Sequence, residues 1–188
     1  MTAAFAAALG AMAGRYTLGR KEFDEVRVRV EKMVEELDML RERFLDMAEA
    51  DEAAYGAYDE ASKLPKKTEE QRRARDAALR DAARKALEVP LEVARLACRT
   101  GDLGAEMVGI CNPRLASDAA ACALLASAAC STVLLSVDEN ASAAFGDSPE
   151  REGLESEVRA LRNRAVRGAV EAKVAVWLRE GKAGEGAS

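Results

Sequence analysis

The chain has 188 residues, 49% of them hydrophobic, which suffices for one domain with a real core and not for two. Its net charge of −5 argues against general affinity for nucleic acid or for acidic membranes. Histidine is absent, which excludes Ser-His-Asp and Cys-His nucleophilic systems and histidine-ligated zinc, and no glycine-rich phosphate loop is present.

The first segment, Thr2 to Thr17, is rich in Ala and apolar. It is too short to span a bilayer, and no positive residues precede it as they would in a secretory signal. It predicts a buried helix, and Gly10 and Gly14 bare one side of it for close approach by another helix.

The second segment, Lys21 to Ser62, carries a stripe at alternating steps of three and four: Phe23, Val26, Val30, Met33, Leu37, Leu40, Phe44, Met47, Asp51, Ala54 and Tyr58. All but Asp51 are apolar or aromatic. The spacing predicts one helix roughly 60 Å long. That exceeds the width of a small globule, so it either kinks or is covered in part by another subunit. A carboxylate on a buried stripe is costly unless paired or neutralised. The plainer explanation is a polar residue that fixes helix register.

Pro65 ends this helix, and Thr68 with Gln71 forms a capping-box signature for the next. Lys63, Lys66 and Lys67 therefore cluster on a tight loop, as a solvated basic turn or an anion-binding corner. The third helix is expected from Thr68 to about Arg99 with a kink at Pro90, followed by a short separate helix near Leu103–Ile110 and a turn at Asn112-Pro113. The fourth segment, Asp118 to about Ala144, is apolar nearly all round and should lie in the middle of the protein, with Ser117 as N-cap and Asp118 in the first turn. The spacing of Cys98, Cys111, Cys122 and Cys130 matches no zinc pattern, and these read as buried thiols in a reducing cytoplasm. In the fifth segment Ser148 caps, Pro149 takes the first helical position, and Leu154, Val158, Leu161, Ala165, Val166, Ala169, Val170, Val174 and Trp177 form a stripe. Residues 181–188 are expected to be a disordered tail. Period-two alternation is missing throughout. The expected fold is all-α, a bundle of about five long helices in one domain over residues 1–180.

The stretches LGAMAGRYTLGRK (Leu9–Lys21), DEAAYGAY (Asp51–Tyr58), KLPKKTEEQRRAR (Lys63–Arg75), EVPLEVA (Glu88–Ala94) and CNPRLASDAA (Cys111–Ala120) occur in an order that resembles the formiminotransferase-cyclodeaminase family, in its cyclodeaminase/methenyltetrahydrofolate cyclohydrolase domain. Family versions of these pieces read D-x-EAF, LPK-x-T-x-EE-xx-R, VPLEVA and GNxNxxSDA. Three positions depart from the family pattern: Cys111 replaces the Gly and Arg114 the second Asn of that last motif, and Ser136 replaces the first Asn of an NVxxN motif that ends at Asn140.

The resemblance implies a homodimeric all-α enzyme of one-carbon metabolism, acting on a tetrahydrofolate derivative with one or several glutamates, with no permanently bound cofactor or metal. One implied reaction is ring closure on 5-formiminotetrahydrofolate with loss of ammonia. The alternative is hydrolysis of 5,10-methenyltetrahydrofolate, and a second alternative is a non-catalytic scaffold that kept the fold. Both reactions need a proton shuttle and a negative group near a cationic carbon, which a carboxylate supplies. The implied site has Asp118 as the acid–base group, Lys66 coupled to it or holding substrate, and Asp51 orienting the pair. Asn112, Ser117 and Asn140 are candidates for the pteridine, and Lys63, Lys67 or Arg114 for the glutamate tail. Asp118 and Asn140 stand roughly 33 Å apart on a straight helix. Within one chain they cannot touch one small ligand, so either Asn140 is structural or a partner subunit completes the site.

Overall fold

The structure, a computed structural model, describes residues 1–146 and 148–185. It holds five long helices: α1 (Thr2–Leu18), α2 (Arg27–Ser62), α3 (Glu69–Ile110), α4 (Ala116–Phe145) and α5 (Pro149–Glu185). Among the described residues there is no strand. The all-α expectation holds.

α3 and α4 form the centre, with α1 and α2 packed on one side and α5 on the other. Small residues set the spacing. A Cβ on Gly104 of α3 would lie 2.8 Å from the Ala123 backbone nitrogen and 3.1 Å from the Ala119 carbonyl oxygen of α4. A Cβ on Gly10 of α1 would lie 2.9 Å from Cys122 Sγ, and one on Gly14 would collide with Val34 of α2. The bare side of α1 is thus the side that α2 and α4 approach. All four cysteines are free and buried, with Cys98 and Cys130 sulfurs 3.7 Å apart between α3 and α4.

Four boundaries differ from expectation. The long second helix begins later, because Lys21–Val26 forms a 3-10 turn in which Phe23 leaves helical dihedrals. The third helix and the expected short helix are one α3 of 42 residues, with Pro90 accommodated inside it. Ser117 does not cap α4: a 3-10 turn over Pro113–Leu115 leads directly into Ala116, so Ser117 is already helical, while Asp118 does occupy the first turn. α5 runs on through residues 181–185, where a tail was expected; residues 186–188 lie outside the described residues. The capping box of α3 is present, with Gln71 N–H donating to Thr68 Oγ1 and Thr68 N–H to Gln71 Oε1, each at 3.2 Å.

α4 is not covered all round. Its inner face, including Ala119, Cys122, Ala126, Cys130 and Leu134, is buried, but only 44% of its most apolar 18-residue stretch is. By length and hydropathy alone it is the one described helix that could cross a membrane, yet its inner face is the core of the bundle. Leu135 on the outer face is 64% exposed.

Ion pairs tie the helices at their rims. Arg99 of α3 holds Glu36 of α2 through two bonds of 2.6 Å. Arg164 of α5 reaches Asp102 of α3, and Arg179 donates to the Val108 and Cys111 carbonyls at the end of α3, where helical acceptors lack partners.

Adding a methyl at Gly104 forces backbone atoms of two central helices apart. Gly104→Ala should cost about 1–3 kcal/mol in urea unfolding, whereas Gly109→Ala, which meets nothing within 4 Å, should cost nothing. Hydrogen bonding to Arg99 holds the Glu36 carboxyl below its ordinary value of 4.5. A depressed carboxyl stabilises the fold above its unfolded pKa, and the contribution is lost as pH falls through the folded value. Thermal denaturation from pH 6 to pH 3 should therefore fall less steeply for Glu36→Gln than for the parent.

Candidate functional site

The stripe on α2 is buried as far as Met47 and then emerges: Asp51 is exposed, and Tyr55 is 73% exposed. The expected burial of this carboxylate is therefore not found in the chain. α1, with 17 residues, covers only part of the 36-residue α2, and Met1 at its end lines the space where coverage stops. Beyond that point α2, α3 and α4 enclose a cleft.

The cleft consists of two adjoining hollows, of about 380 Å³ and about 260 Å³, that share Asp51, Pro90 and Ser136. α2 contributes Asp51, Tyr55 and Tyr58, one helical turn apart, so a carboxylate and two phenols line one wall. α4 contributes Ser136, Glu139 and Asn140 to the opposite wall. The floor is α3 at Ala86 and Pro90. Proline has no N–H, so Pro90 cannot donate to the Ala86 carbonyl four residues back, and that acceptor is left for another donor beside the cleft. Phe44, Val89, Val93 and Val133 make the smaller hollow apolar. An apolar recess with a few polar groups on its rim suits a flat heterocycle.

A single chain brings Asp51 and Asn140 together and leaves the other expected residues elsewhere. Asp118 is half-buried in the first turn of α4, 22 residues and roughly 33 Å from Asn140, and lines neither hollow. Asp51, Lys66 and Asp118 do not converge within one chain. Asn112 is buried and employed locally: its Oδ1 accepts from the Arg114 N–H at 3.1 Å and its own N–H donates to Thr17 Oγ1 at 2.9 Å. Arg114 and Ser117 are exposed at that same end of the bundle. Lys63 and Lys66 lie on the α2–α3 loop. Lys63 is paired with Asp59 at 2.7 Å and Glu60 at 2.8 Å, and those two carboxylates raise its pKa above the ordinary lysine value. Lys66 and Lys67 are exposed beside it.

Sequence reasoning missed Tyr55, Tyr58 and Glu139 as wall residues, whereas Ser136 was marked as a departure in the NVxxN motif that ends at Asn140. The signal for the tyrosines was available, since they share the stripe that carries Asp51. Glu139 lies inside the NVxxN-like stretch, at a position that motif leaves open.

Thr17 holds the Asn112 segment: its hydroxyl donates to the Ala13 carbonyl at 2.8 Å and accepts from the Asn112 N–H. Thr17→Val should leave a buried N–H unpaired and cost about 1–3 kcal/mol, with faster hydrogen exchange at Asn112 than at core amides.

Comparison with known proteins adds to this geometry. The sequence model of the family described as formiminotransferase-cyclodeaminase matches residues 1–160. The methenyltetrahydrofolate cyclohydrolase of Methylorubrum extorquens is 32% identical over 170 residues, 87% of this chain and 82% of that protein. The formimidoyltransferase-cyclodeaminase of Sus scrofa is 37% identical over 93 residues, 50% of this chain and 17% of the pig protein's length. The crystal structure of formiminotetrahydrofolate cyclodeaminase from Thermotoga maritima superposes with a TM-score of 0.82 at 23% identity, covering 93% of this chain and 83% of that one, which shows a shared fold.

Proposed function

The chain belongs to the formiminotransferase-cyclodeaminase family, and on that footing we propose that it is a folate-dependent one-carbon enzyme, a methenyltetrahydrofolate cyclohydrolase that works as a homodimer. The observation that carries this reading is the cleft in which Asp51 and Asn140 line the same hollow of about 380 Å³. The relative matched over most of both lengths bears the cyclohydrolase name, which favours hydrolysis over ring closure.

The substrate carries a positive charge delocalised over N5, the bridging carbon and N10. Asp51 is placed to stabilise that cation and to accept a proton from the water that adds to the carbon. A neutral tetrahedral adduct results. Its C–N5 bond then breaks, its hydroxyl becomes the formyl carbonyl on N10, and N5 takes up a proton. One proton is released overall. Tyr55 and Tyr58 offer faces and hydroxyls to the pteridine, and Asn140, Ser136 and the Ala86 carbonyl offer hydrogen-bond partners to its polar edge. Asp118 keeps its place at the N-terminus of α4, where the helix dipole favours a negative charge. Lys66 and Lys67 lie on the α2–α3 loop, past the end of α2 that stands roughly 16 Å beyond Asp51, and suit the carboxylates of a polyglutamate tail rather than the reacting carbon.

The second reading is cyclodeamination, favoured by the 37% identity to the pig protein over 93 residues. The same residues serve it: N10 attacks the carbon of the protonated formimino group, and Asp51 carries the N10 proton to the departing NH2, which leaves as ammonia while the positive charge stays on the methenyl product.

Loss of the methenyltetrahydrofolate absorbance, followed with purified protein, tests the first reading, and its appearance from 5-formiminotetrahydrofolate tests the second. Asp51→Asn should lower kcat by about 10²-fold or more with KM little changed. Parent-like turnover by Asp51→Asn would remove Asp51 from the mechanism.

A further inference from the structure

The larger hollow of the cleft differs in charge from other grooves of the bundle. The groove between α4 and α5 sets Asp138 and Glu155 against Arg151, Arg159 and Arg162. The outer groove between α2 and α3 sets Asp46, Glu88 and Glu92 against Arg43 and Arg95. Each of these carries its own counter-charge. The larger hollow is lined by two carboxylates, Asp51 of α2 and Glu139 of α4, and by no Lys or Arg. Two nearby cations are engaged away from it. Lys63 is held by Asp59 at 2.7 Å and Glu60 at 2.8 Å. Arg84, two residues before the lining Ala86, donates to the Ala144 carbonyl at 3.4 Å and lies over the Phe145 ring.

Two adjacent carboxylates of α4 thus have different employment. Asp138 pairs with Arg162 of α5, whereas Glu139 lines the hollow and has no ion-pair partner among the described residues. Asp51 answers the single positive charge of the substrate, at the methenyl bridge, and Glu139 is left for another part of it. The far end of the fused ring is a 2-amino-4-oxopyrimidine, which presents its 2-amino group, N3–H and O4 in a row: two donors, then an acceptor. Ser136, Glu139, Asn140 and Ala143 follow the spacing of one helix face, and all four line the hollow. A carboxylate accepts two parallel donors at once, as it accepts the fork of a guanidinium, and an amide beside it can donate to O4.

We propose that Glu139 selects the pteridine head group: its two carboxylate oxygens accept from N3–H and the 2-amino group, Asn140 donates to O4, and the bridging carbon is thereby directed toward Asp51. This rests on the folate reading above and adds the residue that recognises the head group. Steady-state kinetics test it on whichever of 5,10-methenyltetrahydrofolate and 5-formiminotetrahydrofolate the parent turns over, and on the 2-desamino-2-methyl analogue of the same compound, which lacks the amino donor. The parent should prefer the natural compound by about 10- to 100-fold in kcat/KM. Glu139 is exposed on a helix, so Glu139→Ala should keep its helicity by circular dichroism. It should raise KM for the natural compound about tenfold or more with kcat within about threefold, and should treat the two compounds alike within about threefold. A merely structural residue would lower activity on both compounds equally and leave the preference intact. A parent with equal kcat/KM for the two compounds, or a preference as large in Glu139→Ala as in the parent, overturns this role of Glu139 and leaves the folate reading standing. A parent that turns over neither natural compound overturns the folate reading and this role with it.

Discussion

Everything in this bundle depends on how closely α3 and α4 approach. Gly104 sits against the backbone of α4 at Ala119 and Ala123, and Gly101 lies 3.7–3.8 Å, measured from where its Cβ would be, from Ala126 and the Ala123 carbonyl. Gly168 of α5 faces Gly101 from the other side. The facing residues on α4 are mostly Ala and Cys, so backbones meet at short range and dispersion between them replaces the large aromatic side chains that this chain lacks, with aromatics only 4% of it. α1 repeats the device with Gly10 and Gly14. One cysteine, Cys122, is the common neighbour of Gly10 and Gly104, which joins the two close contacts into one packed unit.

From that constraint the cleft follows. α1 is short and lies tight against the middle of the bundle, while α2 and α3 are long. Past Met47 the stripe on α2 emerges, and its next member is Asp51. A carboxylate there needs no buried counter-charge, because it faces a solvent-filled recess. Pro90, placed in α3 at the same level, leaves an acceptor at Ala86 and keeps a mostly apolar floor. The polar residues of α4 at this level, Ser136, Glu139 and Asn140, complete the rim.

The resemblance and the single-chain geometry point to different carboxylates. The SD motif of the resemblance points to Asp118, which the fold sets at the opposite end of α4. The D-x-EAF-like motif points to Asp51, which the fold sets in the cleft beside Asn140. Ser136, in place of the family's Asn, lies on the cleft wall, so that departure changes the hydrogen-bonding edge of the recess and leaves the carboxylate untouched.

The sequence by itself determined the helical class, the five helices, the capping box at Thr68 and Gln71, and the close face of α1, because each is written in local spacing and side-chain size. It also marked Asp51, since one charge in an otherwise apolar repeat is visible without coordinates. Only the tertiary structure decided that α3 runs unbroken past Pro90 and Gly101. A glycine read alone suggests a break, and only the α4 backbone at short range explains why it stays helical. Only the fold decided that Asp118 and Lys66 stand away from Asp51 within one chain, and that α4 and α5 each keep an uncovered apolar face. Periodicity reports that a side is apolar, and which neighbour covers that side is fixed by how the helices are placed.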